Sequence, residues 1–106
     1  MASEAQAKGS QGNPATGTFT SAATAAAEII TLGFNPTYIE VVCNIEGTNA
    51  DIVKAYNGAT SSSLITGSTG VVTTPANQVT FNGDGTVTLA AAPQSNDGVN
   101  RWFALR

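Results

Sequence analysis

From Tyr38 to Ile45 the chain alternates with a period of two. Ile39, Val41, Cys43 and Ile45 share one face, and Tyr38, Glu40, Val42 and Asn44 share the other. This is the spacing of a β-strand with one face more apolar than the other. Upstream, Gly33-Phe34-Asn35-Pro36 makes a corner, because a proline pushes the residue before it into extended backbone and cannot donate to a strand ladder. Gly33, Phe34 and Pro36 are therefore its structural residues. Downstream, Glu46-Gly47-Thr48-Asn49 reads as a turn and Asp51–Tyr56 as the return strand of a hairpin. A second hairpin is predicted from Gln78–Asn82 and Thr86–Ala91 around Gly83-Asp84-Gly85, with Val79 and Phe81 facing Val87 and Leu89. A final strand covers Arg101–Arg106.

The other segments carry weaker patterns. Asn57-Gly58 is a strong turn dipeptide. Ala59–Ala76 is rich in Ser, Thr and Gly, with apolar islands at Leu64-Ile65 and Val71-Val72, and reads as an excursion with short edge strands. A second loop runs over Pro93–Asn100. Gly17–Ser21 is a candidate short strand. Ala22–Glu28 supports two readings: alanine is the best helix former, but the segment is short for a stable helix and runs into Ile29-Ile30-Thr31-Leu32, which favours a strand. The extended reading is adopted. Met1–Thr16 has no apolar periodicity and is expected to be an N-terminal arm, leaving residues 17–106 as one domain without internal repeats. Short strands spaced by turns point to an all-β fold, a small antiparallel β-sandwich or β-barrel with an extended arm.

Composition narrows the function classes. A chain of 106 residues buries only roughly 60–65% of the surface its unfolded form exposes, and cores this small usually need a staple. Cys43 is the single cysteine and there is no histidine, so an intrachain disulfide and a structural zinc site are both excluded. Oligomerisation or docking onto a larger partner is the remaining staple. With 4 basic and 7 acidic residues, net charge −3, the chain lacks the clustered cations that nucleic acid or anionic lipid requires. No apolar run is long enough to span a membrane. The first residues lack the order of a signal peptide, so synthesis in a cytoplasm is expected.

Catalytic chemistry is not expected either. Cys43 lies on the apolar face of its strand and reads as a small buried hydrophobe. The acidic residues are scattered, and no base or orienter accompanies a nucleophile. Asn82-Gly83-Asp84-Gly85-Thr86 lacks the carboxylates of a calcium loop and the lysine of a phosphate loop, leaving a tight hairpin turn. Glu40 and Lys54 read as a cross-strand surface pair. No enzyme activity, cofactor or metal is predicted.

The aromatic residues are the candidate contacts. Trp102 and Phe103 fall on opposite faces of the last strand, so one packs inward and the other meets something else. Trp102 is read as partly buried at a sheet edge, with an intersubunit contact as the alternative. Tyr38, Tyr56 and Phe103 are further candidates for intersubunit contact, since aromatics concentrate in interface cores. The small residues Ala5, Ala7, Gly9 and Gly12, with Pro14, would let the arm lie flat in a groove or add to a neighbour's sheet edge.

The order of these signals resembles a group of small bacteriophage virion proteins. It comprises the corner over Ile30–Pro36, the strand Tyr38–Ile45, the return strand Asp51–Tyr56, the Gly/Thr segment Gly70–Thr74, the hairpin Val79–Leu89 and the terminal strand Trp102–Arg106. The resemblance implies a capsid decoration (cement) protein built as a β-sandwich or barrel, often trimeric. Such a protein binds the outer capsid surface and bridges subunits of the major capsid protein. The Ser/Thr-rich excursion departs from that pattern by lacking large apolar residues near its middle. The alternative is a tail-fibre or head-fibre module that binds a receptor or carbohydrate, supported by Tyr56-Asn57 and the Ser/Thr/Asn loops. The absence of a long trimerisation shaft favours decoration.

Overall fold

The alternation between Tyr38 and Cys43 becomes strand β3, and the same period of two builds eight other strands around it. The computed structural model describes residues 15–59 and 61–106. In chain order its strands are β1 (Ala15–Thr20), β2 (Glu28–Thr31), β3 (Tyr38–Cys43), β4 (Asp51–Tyr56), β5 (Ser63–Ile65), β6 (Val72–Thr73), β7 (Val79–Phe81), β8 (Thr86–Leu89) and β9 (Val99–Leu105). Six of them form one sheet in the order β1-β9-β3-β4-β5-β6, and three form a second in the order β2-β8-β7. Every pairing is antiparallel. No helix among the described residues is long and apolar enough to cross a membrane.

The core lies between the inner faces of the two sheets. From the larger sheet it takes Ala15 and Phe19, Trp102 and Ala104, Ile39, Val41 and Cys43, and Val53 and Ala55; from the smaller sheet it takes Ile30, Val87 and Leu89. Trp102 is fully buried. In register it faces Val41 on β3 and Gly17 on β1, and a glycine there presents no side chain to crowd the indole. The expectation that Trp102 meets a sheet edge or a neighbouring subunit is therefore corrected. β9 is an interior strand with β1 on one side and β3 on the other, so its inward-facing aromatic is sealed from every surface. Phe103 points the other way and is half-buried on the outer face.

A buried polar cluster closes one end of the sandwich. The Asn100 carboxamide is fully buried; it donates to Ser21 Oγ at 2.9 Å and accepts from the Asn44 backbone N–H at 3.0 Å. Ser21 Oγ in turn donates to Gln94 Oε1 at 2.6 Å, and Gln94 Nε2 donates to the carbonyls of Ala26 and Ala90 at 2.8 and 2.9 Å. Both carboxamides thus have a donor and an acceptor partner, which is what allows polar groups to be buried here at all.

The same cluster settles the alanine-rich segment. Residues 21–27 form neither helix nor strand, and β2 begins only at Glu28. Their backbone groups bond to the loop before β9: Ser21 N–H to Gly98 O, Asp97 N–H to Ala22 O, and Ala25 N–H to Asn96 Oδ1. Partners 71 or more residues away satisfy these backbone groups, so the helix propensity of alanine is overridden. β1 also starts at Ala15, two residues earlier than its sequence suggested, because Ala15 and Thr16 pair with Ala104 and Phe103.

The corner before β3 is held from across the fold. Gly33 has φ of +82°, a conformation that favours glycine. Leu32 and Gly33 donate to Gly85 O, and Gly85 N–H donates to Asn35 Oδ1 at 2.9 Å. Pro36 is fully buried, and the Arg106 guanidinium lies 4.4 Å from the centre of the Phe34 ring.

Removing the Asn100 amide leaves the half-buried Asn44 N–H without its acceptor and takes from the buried Ser21 hydroxyl the donor that Asn100 supplies, leaving Ser21 only its bond to Gln94. Asn100→Ala should lower unfolding free energy by about 1–3 kcal/mol, measured by urea denaturation. A midpoint equal to wild type would mean that the cluster carries no stability. Cys43 is buried and its thiol is pushed up to about 12, by burial first and by the Asp51 carboxylate second. It should stay unreactive towards a disulfide reagent at pH 8 in the folded protein and react fully once unfolded.

Candidate functional site

Strands that bury one face must present the other, and the outer face of the six-stranded sheet is where the unexplained side chains collect. Three rows cross it in register. The first runs Thr18, Arg101, Val42, Ile52, Ile65, Val72 and touches all six strands. The second runs Thr16, Phe103, Glu40, Lys54, Ser63. The third sets Tyr38 between Leu105 and Tyr56.

Two regions of different character result. At one end Val42, Ile52, Ile65 and Val72 form an aliphatic ribbon across four neighbouring strands. It ends on β6, an edge strand of two residues, where Val72 is 60% exposed and the preceding Val71 is 54% exposed. At the other end the rings of Tyr38 and Tyr56 lie 4.8 Å apart, and Tyr38 meets Phe103 edge-on at 6.0 Å. Such offset and edge contacts are favourable arrangements of aromatic pairs. Four residues separate the two ends along β3, about 13 Å at the rise of an extended strand.

Polar groups order the aromatic end. Tyr38 OH donates to Glu40 Oε1 at 3.0 Å, and Glu40 stands opposite Lys54 in the ladder. The Tyr38 phenol is pushed up to about 12 by burial first, then by its hydrogen bond to Glu40 and by the charges of Glu40 and Tyr56. Beside the rings a hollow of about 310 Å³ opens. Tyr38, Tyr56 and Lys54 line it together with Ser61 to Ser63 and Thr74. The serines arrive there because β5 pairs with β4 and because Ser61 bridges to Ala76. Ser62 is buried, its hydroxyl donating to Pro75 O at 3.3 Å.

The structure brings exposed Tyr56 and half-buried Tyr38 and Phe103 together as one cluster on the outer face and places Trp102 on the opposite, buried side. Gly33, Phe34 and Pro36 form the corner next to the start of β3, remote in role from either end of the face. Ala5, Ala7, Gly9, Gly12 and Pro14 lie outside the described residues. The aliphatic ribbon went unremarked in the sequence, although Val42, Ile52 and Ile65 occupy the alternate positions that would have signalled it once the strand order was known.

Away from this face, Asp84 is occupied locally. Asp84 Oδ1 accepts from the Thr86 hydroxyl and backbone N–H at 2.6 and 3.1 Å, and the Thr86 hydroxyl holds its carboxyl below the usual value. Among the described residues no group of three His, Cys, Asp or Glu side chains is placed to hold a metal ion. What the outer face offers is contact: an aliphatic ribbon, an aromatic cluster and a polar-walled hollow. No family model, no curated protein and no solved structure matches the chain.

Two groups, Tyr38 and Cys43, hold their protons more tightly in the folded chain, at about 12 against ordinary values of 10.0 and 9.0. Their stabilisation is complete below pH 9 and is lost as pH rises towards 12, because the unfolded chain releases those protons first. Absorbance titration of the phenols should show Tyr38 ionising near pH 12. Glu40→Gln should move that value down only part of the way to 10, since burial is the larger cause. A full return to 10 would place the whole effect on the Glu40 contact.

Proposed function

We propose that this protein is a non-enzymatic structural protein of a phage virion, a capsid decoration (cement) protein. In this reading it binds the outer capsid surface through the aliphatic end of its larger sheet and bridges neighbouring major capsid protein subunits. The observation that carries the contact is the ribbon Val42, Ile52, Ile65 and Val72, which ends beside exposed Val71 on an edge strand only two residues long. A continuous apolar strip that runs out to an outermost strand invites a partner, which would bury the side chains and extend the sheet at once. The virion setting is supported by the ordered segments from Ile30–Pro36 to Trp102–Arg106 described above.

Stabilisation of the shell would follow from mass action, because a ligand that binds only the assembled state shifts the equilibrium towards it. The arm fits the same role. Ordering such a segment costs roughly 1–2 kcal/mol per residue in backbone entropy, so attachment along a neighbouring subunit would need extensive contact from Ala5, Ala7, Gly9, Gly12 and Pro14. Self-association as a homotrimer also belongs to this reading. β1 and β6 are the outermost strands of the sheet, and closed symmetric assembly covers such edges.

Virions lacking the protein should release DNA at a lower temperature than wild type. Val72→Glu should fold normally, since Val72 is mostly exposed, yet bind shells at least about tenfold more weakly, because a charge would be buried in the contact. Removing Met1–Asn13 should leave the β-domain folded and weaken attachment. Heat stability unchanged by loss of the protein, with immunogold label at the tail tip rather than the head, would replace decoration by receptor binding.

A further inference from the structure

None of the ribbon residues lines the hollow at the aromatic end, although Lys54 and Ser63 stand one same-face step, about 7 Å, from Ile52 and Ile65. The geometry points to a binding site in the hollow for an acidic sugar, a terminal hexuronate unit of a glycan. Three features select that class.

The first is an open aromatic platform. Tyr56 is 66% exposed, and its ring is braced from behind by Tyr38 at 4.8 Å with the planes tilted by 49°. Tyr38 is braced in turn by Phe103 and by the hydrogen bond of its hydroxyl to Glu40. A platform held in this way loses little side-chain freedom when a ligand stacks on it. The C–H face of a pyranose is the apolar surface that such a ring accepts.

The second feature is the hydroxyl lining. Ser61, Ser63 and Thr74 bring hydroxyl groups to the hollow, and a hydroxyl both donates and accepts. Sugar hydroxyls need partners of that dual kind around their rim. Ser62 takes no part in recognition: it is buried and bonded to Pro75 O, and this fixes the lining in place. At about 310 Å³ the hollow is at the lower end of small-ligand sites, the scale of one or two sugar rings rather than a peptide segment.

Charge is the third. Among the described residues that line the hollow, Lys54 is the one charged side chain and none is a carboxylate. Glu40, across the ladder from Lys54, has its Oε1 engaged by the Tyr38 hydroxyl. An ammonium group at the rim of a neutral, hydroxyl-lined site favours a sugar carrying one carboxylate over its uncharged counterpart. The Lys54 Nζ would take the ligand carboxylate, Tyr56 the ring face, and Ser61, Ser63 and Thr74 the hydroxyls.

The test uses the full chain with methyl β-D-glucuronide and, as the uncharged comparison, methyl β-D-glucoside, read by saturation-transfer NMR and by shifts of the backbone amides. Wild type should bind the glucuronide with a dissociation constant on the order of 1 mM, as expected of a single sugar ring, with shifts confined to β4, β5, the start of β3 at Tyr38 and residues 61–63 and 74. The glucoside should bind several-fold more weakly. Tyr56→Ala should weaken glucuronide binding at least about tenfold. Lys54→Gln should abolish the preference for the acid while leaving the stacking contact. No saturation transfer to the glucuronide, equal binding of the two glycosides to wild type, or unchanged binding by Tyr56→Ala would each overturn the proposal. Because binding is read on the free protein, a negative result leaves attachment to a shell untouched, and Val72→Glu should bind the glucuronide as wild type does.

Discussion

Burial of the Trp102 indole between the two sheets makes β9 the strand on which the others are organised. It is hydrogen-bonded to β1 on one side and β3 on the other, so residues from both ends of the described chain are tied to the middle of the sheet. The inward side chains of β9 are Asn100, Trp102 and Ala104, all fully buried. Each has a distinct consequence. Ala104 lets Ile39 and Ala15 close over the corner end, Trp102 fills the centre, and Asn100 joins the loops at the opposite end to the sheet. With no disulfide available to a single buried cysteine, this arrangement carries the constraint that small secreted domains obtain covalently.

The strand order also determines what the protein can offer outside. Because each strand has a side-chain period of two, fixing Trp102 inward fixes Phe103 outward, and the register then lines up Tyr38, Tyr56 and Phe103 at one end and Val42, Ile52, Ile65 and Val72 at the other. A one-residue slip in β9 would expose the indole and bury Arg101 and Phe103 instead, so core packing and surface pattern cannot vary independently. The outer face is a consequence of the core, read on the reverse side of the same strands.

Local signals in the sequence were enough for the all-β class, for the hairpin of β3 and β4, and for the pairing of Val79 and Phe81 with Leu89 and Val87. These depend on neighbours a few residues apart. Contacts across long stretches of chain were not legible. The alanine-rich segment, read as extended, is instead irregular up to Glu28, because the groups that satisfy its backbone come from residues 94–98. Trp102 was misplaced because a terminal strand looks like an edge until β1 is known to lie outside it. The hollow escaped for the same reason: Ser61, Ser63 and Thr74 reach Tyr56 only after the excursion folds back through β5 and the Ser61–Ala76 bridge. Gly47 marks the opposite case, a turn legible in sequence, where the absence of a Cβ leaves room for the Asn44 side-chain carboxamide to lie against the backbone.

The account rests on the outer face of the larger sheet being the working surface, with its aliphatic end given to docking and its aromatic end left open. Hydrogen exchange of backbone amides, compared between the free protein and the protein bound to capsid shells, tests this most directly. Docking through the ribbon predicts slowed exchange on β5, β6 and the turn between them, with the amides around Tyr38 and Ser61 unchanged. Slowing confined to β2, β7 and β8, the strands of the smaller sheet, would contradict it.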